Sequence, residues 1–166
     1  MRVIFLQFLL FFTCFSCQSQ LSTIELDRKE FNVSYPESFV LDESGQNNTV
    51  FVLKTKAENA NDTFIENINL ATQPITNSSF DDFVSKTISE ISAVGKLIEK
   101  KKLNVDGLDC LKLKFVLTQN NIPLTFVQHY YIKNGKVYVL TLSSESSKYE
   151  KYLNLFEVVL STFTLK

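Results

Sequence analysis

Residues 124–142 read Leu-Thr-Phe-Val-Gln-His-Tyr-Tyr-Ile-Lys-Asn-Gly-Lys-Val-Tyr-Val-Leu-Thr-Leu. Two runs rich in β-branched and aromatic residues flank Asn134-Gly135, and Asn-Gly supplies the left-handed backbone that a type I′ turn requires. The stretch predicts an antiparallel hairpin, residues 124–132 against 137–142. A two-residue turn fixes the register, placing Tyr131 opposite Tyr138 and His129 opposite Leu140.

Further strands lie on the N-terminal side of this hairpin. In residues 108–117, Leu111, Leu113, Phe115 and Leu117 share one face while Cys110, Lys112 and Lys114 share the other, the period of a sheet. Residues 96–105 carry Leu97, Ile98, Leu103 and Val105 around Lys100-Lys101-Lys102 and turn through Asp106-Gly107. Nearer the start, residues 31–35 alternate apolar and polar until Pro36 stops them, and Phe39-Val40 is a short extended piece. Residues 49–53 are almost continuously apolar, which predicts burial on both faces, and residues 63–71 return beside them as a hairpin.

Two helices complete the pattern. Ser79 is placed to cap the first, with Asp82 as the reciprocal partner and Asp81 favouring the positive helix end. Phe80, Phe83, Val84, Ile88 and Ile91 form its apolar stripe, and Gly95 follows its end. The adjacent carboxylates Asp81 and Asp82 are thus explained by helix initiation rather than acid–base chemistry. The second helix carries Tyr149, Tyr152, Leu153, Phe156, Val159, Leu160 and Phe163 on one stripe, with Ser146 or Ser147 as the expected cap. Strands and two helices in this order give one α+β domain.

The N-terminus is an export signal by composition. Met1-Arg2 precedes an apolar run to Phe12, and Thr13-Cys14-Phe15-Ser16-Cys17 follows, giving charged, apolar and small-residue regions in order. The run holds only about a dozen residues, against the roughly 20 needed to span a bilayer. Ser16-Cys17 resembles the end of a bacterial lipobox, whereas Cys14 and Phe15 depart from its usual aliphatic and small residues. The expected organisation is a signal peptide over 1–16, lipidation at Cys17, a polar tether over 17–29 and a single domain over 30–166. Removal of the signal leaves 166 − 16 = 150 residues, a common domain size. Ser19, two residues past Cys17, resembles the outer-membrane sorting pattern, periplasmic side. The alternative is a soluble secreted or periplasmic protein with a Cys17–Cys110 disulfide.

The formal charge of −1 conceals a split: residues 17–95 hold 12 acidic against 5 basic side chains, residues 96–166 hold 6 against 11. The two halves can complement one another or present a basic face. Nucleic-acid binding is excluded, because the mature charge is negative and the lysines lack interleaved stacking aromatics.

Catalytic signals are missing at the level of motif. There is no G-x-S-x-G elbow and no phosphate-binding glycine loop, and the chain has only four glycines. His129, the sole histidine, has no companion ligands in a metal-binding spacing, so no metal or cofactor is expected. Cys110 as nucleophile would need an activating base, and only His129 is on offer, so it reads as a packed small hydrophobe. Lys100, Lys101, Lys102, Lys112 and Lys114 either form a ridge for an anionic lipid or acidic protein surface, or protect an edge strand; edge protection is the favoured reading.

The order of elements resembles the PsbP and Mog-type family, which includes the DcrB-like bacterial lipoproteins. Tyr35-Pro36 with Phe39, residues 65–70 leading to the Ser79 helix, residues 107–115, His129-Tyr130-Tyr131, residues 135–141 and the helix over 156–163 carry the resemblance. It implies an antiparallel β-sheet flanked by helices, an α/β/α sandwich, and accessory or adaptor roles rather than catalysis. The expected function is a non-enzymatic, monomeric accessory protein, anchored to the membrane by lipid and acting on a protein partner in the cell envelope. The alternative is a small-molecule or lipid carrier with an aromatic-lined groove formed by Phe126, Tyr130, Tyr131 and Tyr138.

Overall fold

The computed structural model describes residues 21–75, 79–105 and 107–166. In chain order they form β1 (Thr23–Asp27), β2 (Phe31–Pro36), β3 (Val40–Asp42), β4 (Thr49–Lys54), β5 (Asn67–Pro74), α1 (Phe80–Val94), β6 (Gly95–Val105), β7 (Leu108–Gln119), β8 (Ile122–Lys133), β9 (Lys136–Glu145), α2 (Tyr149–Thr162) and β10 (Thr164–Leu165). A seven-stranded antiparallel sheet has the order β3-β4-β5-β9-β8-β7-β6, and a small sheet has the order β1-β2-β10.

The hairpin built on Asn134-Gly135 is the centre of the large sheet. Asn134 and Gly135 both take positive φ, 52° and 71°, and Tyr131 pairs with Tyr138 and His129 with Leu140. Side chains alternate across this sheet and feed two cores. Cys110, Val127, Tyr131, Tyr138, Leu140 and Leu142 point to the α2 face, where they meet Phe156, Val159 and Phe163 together with Phe31, Val33 and Tyr35 of β2. Leu111, Leu113, Phe115, Tyr130 and Val137 point to the other face and meet Val84 and Ile91 of α1. The two helices therefore cover opposite faces, the layered α+β arrangement that the pattern implies.

α1 starts as its sequence dictates. The Ser79 hydroxyl accepts from the Asp82 backbone N–H at 3.1 Å, and the Asp82 carboxylate accepts from the Ser79 N–H at 3.2 Å, closing a capping box. α2 does not follow the expected pattern. Lys148 occupies its N-cap position with no side-chain cap, because Ser146 is drawn to the Thr125 hydroxyl at 2.9 Å and Ser147 lies 3.5 Å from the Glu145 carboxylate.

Three other expectations are corrected. The tether expected over 17–29 contains β1, paired with β2 from Thr23↔Pro36 to Asp27↔Asn32, so folded structure begins near residue 23 rather than 30. Only Leu26 of that strand is buried, which is why its apolar alternation is too thin to read. β4 is buried on one face only: Phe51 and Leu53 are fully enclosed, while Val50 and Val52 are half-buried. Residues 63–66 lie outside β5, which starts at Asn67 and runs on to Pro74.

The charge split between the halves is neutralised in part within the domain. Asp62 and Glu66 meet Lys148, Glu58 meets Lys151 and Glu30 meets Lys136; Asp27 pairs with Lys166. Acidic residues of the first half thus hold basic residues of the second.

Candidate functional site

The fold brings His129 and Cys110 together around one hydroxyl. Tyr131 Oη lies 3.3 Å from His129 Nδ1 and is hydrogen-bonded to the Cys110 thiol, with all three side chains buried. Sequence spacing alone did not join them. Cross-strand pairing places Cys110 opposite Tyr131, and His129 lies two residues before Tyr131 on the same face. The electrostatics oppose a thiolate–imidazolium pair. Burial pushes the Cys110 thiol up to about 11, and burial, then the nearby Lys112 charge, push His129 down to about 4. A reactive cysteine needs the opposite shifts. The trio is a neutral polar network on the α2 face of the sheet. Among the described residues no group of three or more His, Cys, Asp or Glu converges to hold a metal ion. Cys17, the expected lipidation site, and the expected signal segment 1–16 lie outside the described residues, and no described helix is long and apolar enough to cross a membrane.

The lysines do not form a single ridge. β6 is an edge strand, and its register puts Lys101 beside Lys112 on the α2 face, while Lys100 and Lys102 lie opposite Leu113 and Leu111 on the α1 face. Lys112 is taken up by Glu99 at 3.2 Å, and the Lys114 ammonium stands 4.0 Å from the centre of the Tyr149 ring. Lysines on both faces of an exposed strand, with a register irregularity between Leu97 and Glu99, keep another strand from adding to it.

The aromatic residues expected to line one groove are also divided. Tyr131 and Tyr138 face α2 and are buried, whereas Tyr130 and Phe126 belong to the α1 face, where Phe126 stacks on Phe115 at 5.1 Å. No shared aromatic groove arises from these four residues.

The α1 face does carry a cleft. α1 packs over the β6–β8 side of the sheet and leaves β5 and β9 partly uncovered, opening a volume of about 990 Å³. Gln128, Tyr130, Val139 and Thr141 form its floor, Thr72 and Gln73 one wall, Phe83, Lys86, Thr87 and Glu90 the other, and Asn47 and Asn48 one end. Both asparagines have positive φ, 54° and 59°, which bends the β3–β4 connection over that end. The floor is an ordered row: the Tyr130 hydroxyl donates to Gln128 Oε1, and Gln128 Nε2 donates to the Thr141 hydroxyl at 3.2 Å. Phe83 meets Tyr130 edge-on at 6.0 Å. Burial raises the Tyr130 hydroxyl far above its usual range, so it stays a neutral donor. Lys86 and Glu90 lie 3.9 Å apart on the helical wall, and the surface offers mixed amide, hydroxyl and apolar contacts with little net charge. Gln128 and Thr141 belong to no sequence motif. The signal was present, because the register that sets Tyr131 against Tyr138 also sets Gln128 against Thr141, two polar residues on a face otherwise built of Tyr130, Val137 and Val139.

A sequence model of the PsbP family matches residues 21–165, and this span includes both sheets and both helices. The chain belongs to the PsbP family. Its match begins before β1, in agreement with a fold that starts near residue 23. No curated protein matches by sequence. Among solved structures, this PsbP-family chain is similar to LpqN of Mycobacterium tuberculosis, at 12% identity and TM-score 0.66, over 89% of this chain and 91% of LpqN. It is also similar to cyanobacterial PsbP of Synechocystis, at 17% identity and TM-score 0.63, over 90% of this chain and 96% of the other. At these identities the likeness is one of fold.

Proposed function

We propose that this PsbP-family protein is a non-enzymatic accessory protein of the bacterial envelope, anchored by lipid on Cys17 and acting through protein–protein contact at the α1 cleft. The cleft carries the reading. A wide, open surface of amides, hydroxyls and a Phe83–Tyr130 pair has the mixed character of a non-obligate protein interface. The neutral Cys110–Tyr131–His129 network is buried on the other face and lacks an activated nucleophile, which supports recognition rather than catalysis. LpqN, which shares the fold, is described as involved in cell envelope biogenesis, in keeping with an envelope setting.

The test is photo-crosslinking in living cells. A photoreactive residue at Thr87, on the cleft wall, is expected to give a discrete protein adduct that the same residue at Lys151, on α2, does not give. Equal labelling from both positions, or no adduct from Thr87, overturns the reading.

A further inference from the structure

The strand that was not legible in the sequence sets how far the domain can stand from its anchor. From Cys17 to Thr23 the chain advances six residues, a reach of at most roughly 20–22 Å even fully extended. Had the fold begun at Phe31, the reach would be roughly 46–50 Å. The entry of β1 is thus held near the bilayer whenever Cys17 carries lipid.

That same entry exposes large aliphatic side chains. Leu21 is 43% exposed and Ile24 42% exposed. The Glu37 N–H donates to the Ser22 carbonyl at 3.1 Å, which places the β1 entry beside the β2–β3 connection. Of the charged groups nearest this end, Glu25 accepts from the Asn32 amide at 2.7 Å and Glu37 is an exposed carboxylate beside Ser22.

We infer that Leu21 and Ile24, at the entry of the edge strand β1, form a membrane contact that rests on the lipid bilayer and orients the domain. The inference depends on the proposed lipidation of Cys17. A tether this short keeps the face at high local concentration near the bilayer, so contacts too weak to recruit a free protein suffice to orient an anchored one. The consequence concerns the cleft. β1 belongs to the small sheet on the α2 side, whereas the α1 cleft opens on the opposite face of the seven-stranded sheet. With Leu21 and Ile24 on the bilayer, the cleft faces away from the lipid and stays open to a partner.

The chain contains no tryptophan, so a single introduced one reports its own surroundings. Full-length protein processed in cells is purified as Ile24→Trp, Leu21→Trp and Lys86→Trp variants and reconstituted in phosphatidylethanolamine–phosphatidylglycerol vesicles with brominated acyl chains. Intact mass establishes acylation of each sample. For a face at the acyl boundary, fluorescence of Ile24→Trp and Leu21→Trp is expected to fall about twofold or more, with Lys86→Trp unchanged. Acylated protein whose tryptophans at 21 and 24 are no more quenched than that at 86 overturns the membrane face and leaves the anchor standing. A mass without an acyl increment overturns the anchored reading and this inference together.

Discussion

Lys148 Nζ lies 3.9 Å from Oε1 of Glu66, a carboxylate with no solvent exposure. Asp62 at 2.8 Å and Glu145 at 3.1 Å share the same ammonium, so one cation answers three carboxylates where the 55–66 segment meets the start of α2. Desolvation works to lower Lys148, yet the hydrogen bonds to Asp62 and Glu145 and the charge of Glu66 hold it above its usual range. Removing the cation leaves buried charge without a partner, a change that costs about 3–5 kcal/mol. Lys148→Met is therefore expected to lower the free energy of urea unfolding by about that amount at neutral pH. A loss within about 0.5 kcal/mol, the range of ordinary surface substitutions, would show that solvent already screens the cluster.

Glu66 itself has the opposite sign. Desolvation raises its carboxyl above the usual range despite the nearby Lys148, and Oε2 has no hydrogen-bond partner. A carboxyl raised on folding stabilises most when protonated in both states, and that contribution is lost as pH rises from the unfolded value through the folded one. Glu66→Gln keeps an acceptor for the Glu145 N–H and removes the buried charge. The variant is expected to gain stability relative to wild type at pH 7–8, with the difference shrinking toward pH 4. Denaturant midpoints across that range check it, and a difference independent of pH refutes the assignment.

His129 answers acid in the reverse direction. Its folded value, pushed down by burial to about 4, lies below the unfolded one of 6.5. The unfolded chain therefore binds one more proton between those values, and stability falls as pH drops through that window by about 1.4 kcal/mol per unit. In a Glu66→Gln background, which removes the opposing carboxyl, His129→Gln is expected to flatten this slope by one proton. An unchanged slope would mean that the ring is hydrated in the folded state.

Gly95 is fixed by contact rather than by its torsion angles, which are extended at φ −156°. A Cβ at this position would press into the Val116 carbonyl oxygen and stand 2.9 Å from Leu117 Cβ, in the β7 segment that pairs with it. Gly95→Ala must part β6 from β7 where α1 hands over to the sheet. The expected loss is about 1–3 kcal/mol in thermal or urea unfolding. A neutral substitution would show that β6 shifts outward without cost, as an edge strand with a register irregularity is free to do.

What the sequence made legible were local signals that agree with the tertiary fold. Asn134-Gly135 fixed a register across β8 and β9, and Ser79 with Asp82 fixed the start of α1, because each signal acts over a few residues. The cap of α2 departs from its local signal for the converse reason. Ser146 and Ser147 are competent cap residues, but Thr125 and Glu145 take their hydroxyls, and both partners are set by the sheet. The same limit hid the site. Gln128 and Thr141 acquire meaning only once α1 is seen to stop short of β5 and β9, and the Cys110–Tyr131–His129 network exists only through pairing of β7 with β8.

β1 is the sharpest case of that limit, and its weight in the fold is open to direct measurement. Its outward residues Thr23, Glu25 and Asp27 are those of a polar linker, and the one inward residue buried is Leu26, 4% exposed, packed with Phe31 and Val33. Truncating a buried leucine costs about 2–5 kcal/mol, so Leu26→Ala is expected to destabilise the domain by that much. A chain beginning at Glu30 would lose the leucine and the whole β1–β2 ladder as well, leaving β2 with only the two-residue pairing to β10. Its loss, measured against a chain beginning at Leu21, should exceed that of Leu26→Ala alone. Equal stability of the two lengths would return residues 21–29 to the role of a tether, lengthen the reach from Cys17, and remove the reason for the β1 entry to lie on the membrane.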